Sequence, residues 1–220
     1  WGADSGLNWD EKYQLWLQEM DTTTGFSGNK TFMLTTPWGK ELQAPKLDCA
    51  DTALALRATF AAWYNLPFYV VSFDGGTPVY FGHFGIRTAS GKWGNMPNFN
   101  TAYSDFSDMS AEEALANWPK DTKLRRRGVQ DGDDQPNLED GARTGAWLDE
   151  IHLNKKAANF VRLMLIFNGS ANLADSRNTF NLAPEAIAAG DVMLWRWQRH
   201  GIGHTMFTVR VDDIGDGRLE

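Results

Sequence analysis

The chain has 220 residues and a mass of 24.7 kDa, with 42% hydrophobic and 22% charged residues, enough apolar content for one well-packed domain. Its formal net charge of −7 argues against nucleic acid or an anionic membrane as the main partner, and no apolar run approaches the roughly 18 residues of a membrane span. A single cysteine excludes an intrachain disulfide, a thiolate-cage zinc site and a CxxC redox pair.

In chain order, "WDEKYQLWLQEM" (9–20) has partial helical spacing through Tyr13, Leu15, Trp16 and Met20, with Asp10 as its start. A polar loop (21–30) follows, and 31–46 reads as extended and turn-rich, with Pro37 and Pro45 as breakers. Residues 48–65 make the clearest helix. Asp48 is its N-cap, Ala53, Leu56, Phe60 and Trp63 form its apolar stripe, and Asn65 and Pro67 end it. Strands at 68–73 and 78–86 are joined by a turn at Asp74-Gly75-Gly76.

From about 88 the chain turns polar, broken by a short helix at 110–118 whose Ser110 and Glu113 have capping-box spacing. The Arg125-Arg126-Arg127 run reads as a solvated loop. "QDGDDQPNLEDGARTG" (130–145) reads as a surface loop without the glycine and terminal glutamate of a calcium site. Residues 147–169 read as a helix running into a strand or second apolar segment, with His152 inside the helix. Two antiparallel strands are expected at 192–197 and 204–211, the second with Thr205, Phe207, Val209 and Val211 on one face. The whole reads as one α+β domain, 1–220. The chain opens at Trp1, without an initiator methionine, and is expected to be a processed form or a fragment.

Chemistry centres on Cys49. A thiol in the first turn of a helix faces the positive end of the helix dipole and unpaired amide N–H groups, and both favour the reactive thiolate. The same N–H groups can donate to a forming oxyanion. A catalytic thiol also needs a base, and the chain has four histidines: His83, His152, His200 and His204.

An Asp48-Cys49 pair opening a helix, then "GDVMLW" (190–195), a turn, and "GHTMFTV" with His204 heading a strand, together resemble the NlpC/P60 family of papain-like cysteine peptidases. The resemblance covers about a quarter of the chain. It implies a catalytic helix packed on an antiparallel sheet, with about 88–180 as a large insertion before the histidine strand. It also implies Cys49 as nucleophile and His204 as base, with His83 in "GHFGI" as the rival base. The family places a polar residue after the base to orient the imidazole. Asp216 is the nominee here, with an ordinary Asp-Gly turn as its other reading and a residue beyond Glu220 or on a second protein chain as alternatives. Gln43, six residues before the cysteine, matches the papain-type oxyanion glutamine. The implied activity is amide hydrolysis of a peptide or of peptidoglycan stem peptides, in a secreted or periplasmic setting, with no cofactor and no metal. The alternative is an inactive binding or interaction module on the same fold, with Cys49 buried.

Overall fold

The computed structural model describes residues 1–2, 4–25, 28, 30–74, 76–82, 85–88, 105–129, 138–196 and 203–220. It is a mixed α+β chain with small antiparallel sheets. No described helix is long and apolar enough to cross a membrane.

Helix α1 (Trp9–Gln18) is opened by Asn8 rather than Asp10. The Asn8 side chain accepts from the amides of Asp10 and Glu11, and the Glu11 carboxylate accepts from the Asn8 N–H at 2.7 Å. Three backbone donors are thereby satisfied, those of Asn8 and Glu11 reciprocally. Strands β1 (Thr22–Thr24), β2 (Lys30–Thr35) and β3 (Glu41–Gln43) form an antiparallel meander. The expected polar loop at 21–30 therefore holds a strand. Threonine-rich "TTT" has the β-branching that a pleated edge favours, and its polarity hid that preference.

Helix α2 (Cys49–Trp63) follows expectation. Asp48 accepts from the Asp51 amide at 2.9 Å, and Asn65 ends the helix region in a left-handed conformation (φ 52°). Strands β4 (Tyr69–Asp74), β5 (Thr77–Gly82) and β6 (Gly85–Thr88) make a second antiparallel sheet, so the run expected as one strand folds back between Gly82 and Gly85.

Beyond it come α3 (Ala111–Ala116), with the expected Ser110–Glu113 capping box, and α4 (Thr122–Arg125). The segment read as helix-into-strand is two helices, α5 (Thr144–Ile151) and α6 (Lys155–Phe167). Asn154 accepts from the Ala157 amide at 2.9 Å and restarts the helix, which then carries the apolar run "LMLIF" into the core. A short α7 (Ser170–Leu173) leads to the antiparallel pair β7 (Val192–Trp195) and β8 (His204–Phe207).

One hydrophobic cluster joins Tyr13 and Leu17 of α1, Leu34 of β2, Phe60 of α2, Trp147 and Ile151 of α5, and Phe160 and Met164 of α6. Helices α5 and α6 lie within the stretch read as an insertion, and they contribute Trp147, Leu148, Ile151, Phe160, Val161 and Met164 to this cluster. Close approach is built in at Gly145, where an alanine Cβ would overlap the Leu124 carbonyl oxygen and lie 2.7 Å from that of Arg127. Backbone cannot yield as a side-chain tip does. Gly145→Ala is expected to destabilise the fold by about 3 kcal/mol, the upper end for overpacking; a denaturant midpoint matching wild type would refute this.

The arginine run divides. Arg126 and Arg127 are exposed as expected, whereas Arg125 is 4% exposed and bonds Glu139 at 2.9 Å and Glu150 at 2.6 Å. Around it, Lys155 pairs with Asp149 and Lys40 with Glu150, and the Asp121 amide donates to Asp149 at 2.9 Å. The carboxylates on α5 are thus what draws Arg125 inside, and no sequence-local pattern marks them as its partners.

Candidate functional site

Cys49 is the first residue of α2. The first intrahelical bond runs from the Thr52 N–H to the Asp48 carbonyl. The amides of Cys49 and Ala50 precede it and have no hydrogen-bond partner among the described residues. That leaves donors beside the sulfur, the arrangement a helix start provides. Asp48 is exposed and occupied as the cap, while Asp51 is buried at 1% exposure in the same turn.

Cys49 is half-buried, and its Sγ lies 3.6 Å from Ser170 Oγ at the start of α7. Ser170 Oγ in turn accepts from the Thr205 hydroxyl at 2.8 Å. Thr205 is the second residue of β8 and is 3% exposed, so the strand that begins at His204 packs on the cysteine helix through this contact. Its neighbour Gly203 fits the same closeness: a Cβ there would lie 2.8 Å from both Ser170 Cβ and the Arg196 carbonyl oxygen. The glycine of "GH" therefore has a packing reason here. Gly203→Ala is expected to lower stability by about 1–3 kcal/mol and to depress the melting temperature by several degrees; an unchanged melting curve would count against this packing.

His204 is on the opposite side of β8 from Thr205, because successive strand residues alternate. It is exposed, faces Trp195 across the ladder, and makes no hydrogen bond to Cys49. Met193, Trp195 and Met206, at 51%, 64% and 51% exposure, occupy alternate positions of β7 and β8 along with it. The structure thus brings together the helix of Cys49 and the strand of His204 without closing a bond between the two side chains.

Gln43, on β3, donates its side-chain amide to the Thr24 carbonyl at 2.7 Å, which ties it to the meander. Asp216 sits between two positive-φ glycines with φ 55° itself, and its exposed carboxylate lies 3.9 Å from Arg218. That is the turn role weighed for it in the sequence. His83, His200 and the 130–137 part of the acidic loop lie outside the described residues.

His152 follows α5 as its cap and is 2% exposed. Nδ1 meets the Leu148 carbonyl at 2.9 Å, and Nε2 has no partner among the described residues. Burial holds its pKa down to about 4. Among the described residues no group of three or more His, Cys, Asp or Glu is arranged to hold a metal ion.

Ser170 and Thr205 escaped the sequence reading. Thr205 was marked only by its place on the alternating face of its strand, and Ser170, in "NGSANL", carries no signal that would pair it with a cysteine 121 positions away. Compared with known proteins, the chain matches no family model, no curated protein and no solved structure.

Proposed function

We propose that this protein is a cysteine hydrolase that cleaves an amide bond in the NlpC/P60-like manner, with peptidoglycan peptides as the substrate class the resemblance implies. The observation that carries this reading is the packing of β8, headed by His204, on α2, headed by Cys49, through the shared contact at Ser170. A helix headed by a thiol packed against a strand headed by a histidine carries the residue types of a nucleophile and its base.

In this reading His204, which faces away from α2 beside Trp195, has to turn toward Cys49 to take its proton, and the thiolate then attacks the substrate carbonyl carbon. The oxyanion is met by the Cys49 amide N–H, which is unpartnered among the described residues, and Gln43 joins it only by giving up Thr24. His204 then protonates the leaving nitrogen as the C–N bond breaks, and water, deprotonated by His204, releases the acid from the thioester. An orienting role for Asp216 requires it to leave its turn beside Arg218. The second reading, a binding module without turnover, draws on the outward-facing His204 and the exposed Met193, Trp195 and Met206 around it.

The test is the pH dependence of Cys49 alkylation by iodoacetamide on the native protein, in wild type and in His204→Ala. Rapid labelling at about pH 6 to 7, below the ~8.5 of a free thiol, with a profile altered by the substitution, is the expected result. Labelling that titrates as a free thiol in both proteins, or only after unfolding, favours the binding module.

A further inference from the structure

Among the described residues, the side chain in hydrogen-bond contact with the Cys49 sulfur is a hydroxyl, that of Ser170, at 3.6 Å. Its surroundings limit what that hydroxyl can do. Ser170 and Thr205 are buried, at 8% and 3% exposure, and Ser170 Oγ has two hydrogen-bond contacts among the described residues, Cys49 Sγ and Thr205 Oγ1. Thr205 donates to Ser170 at 2.8 Å. A hydroxyl has one proton to give, and with Thr205 filling an acceptor site of Ser170, the Ser170 proton has the sulfur as its remaining partner. The direction of donation then runs Thr205 to Ser170 to Cys49.

We infer that Ser170 is a positioning residue for the thiolate: it donates its hydroxyl proton to Cys49 Sγ, and Thr205 sets the direction of that proton. The inference rests on the reading of Cys49 as a reactive thiolate. It adds to that reading a stabilising group supplied by α7 and β8, independent of the histidine. A thiolate accepting this bond is favoured over the thiol, because hydrogen bonds to the charged partner are the stronger ones. The bare contact between Gly203 and Ser170 serves the same end, since it lets β8 approach closely enough for Thr205 to reach Ser170.

Three variants isolate the effect. Ser170→Ala removes the donor, Thr205→Val removes the group that directs it while keeping the shape, and Thr205→Ser restores that hydroxyl. The thiolate is titrated by its ultraviolet absorbance and by iodoacetamide rate, with melting curves recorded on the same samples. The expected result is a midpoint about one to two pH units higher in Ser170→Ala, as a charge-assisted hydrogen bond implies. The alkylation rate below the midpoint falls tenfold or more. Thr205→Val shifts in the same direction by less, and Thr205→Ser follows wild type. A merely structural role would alter melting and leave the midpoint alone.

If wild-type Cys49 is reactive near neutrality but Ser170→Ala and Thr205→Val titrate as wild type, Ser170 has no such role and the nucleophile reading stands. If wild-type Cys49 itself behaves as an ordinary or inaccessible thiol, the proposed function fails and this inference fails with it. Should Ser170→Ala not fold, Thr205→Val against Thr205→Ser decides the question alone.

Discussion

Lys155→Met is expected to destabilise the protein by about 3–5 kcal/mol, the cost of leaving a buried charge without its partner. Lys155 and Asp149 are 1% and 0% exposed and bonded to each other. Burial pushes the Asp149 carboxyl up and the Lys155 ammonium down, in each case against the pull of the other. Desolvation is thus the larger influence on both, and the pair survives only as a pair. With the lysine gone, Asp149 keeps the Asp121 amide at 2.9 Å and Arg125 at 3.6 Å, neither of which replaces a direct ammonium bond. The double variant Lys155→Met/Asp149→Asn removes the charge and keeps an acceptor for the Asp121 amide. It is expected to recover most of the loss. Urea denaturation of the two variants beside wild type measures this; additive losses in the double variant would show that the pair does not couple.

Acidification is expected to weaken the fold through His152 before the carboxylates titrate. The folded pKa, held to about 4 by burial, lies below the ordinary 6.5. Below pH 6.5 the unfolded chain therefore takes up a proton at this residue that the folded chain refuses. Stability carried by the neutral ring is full above pH 6.5, falls as the pH drops, and is spent by about pH 4. The full loss is about 3 kcal/mol, of which about 2 kcal/mol appears between pH 6.5 and 5. His152→Asn keeps a donor for the Leu148 carbonyl without a titrating ring. Its stability at neutral pH is lower, since it leaves ring volume unfilled. Its slope between pH 6.5 and 5 is flatter by that same 2 kcal/mol. Parallel curves for the two proteins would mean that His152 takes up its proton as readily in the native state as in the unfolded chain.

Both effects arise in the segment that the sequence presents as an insertion. Its helices were visible as apolar runs, and the Ser110–Glu113 box as a spacing, because those signals are local. That α5 and α6 share one hydrophobic cluster with α1, α2 and β2 was not visible. Nothing in "WLDEIHLNKKAANF" says that Asp149 will face Lys155 from inside, or that Arg125 will leave its exposed neighbours to join Glu150. Charged residues read as surface until a partner is known.

At the site, local rules sufficed for the cysteine and failed for its surroundings. An aspartate before an alanine- and leucine-rich run determines an N-capped helix, and with it the position of Cys49 at the first turn beside unpaired amides. An alternating strand after Gly203 determines that His204 and Thr205 face opposite ways. Only the tertiary structure decided which of those faces meets α2. It is the Thr205 face, with Ser170 between the two elements and His204 turned outward beside Trp195. Capping and strand alternation are settled within a few residues of chain. Which side of a strand is buried depends on what packs against it, and here the packing partners are 35 and 121 positions from the residues they meet.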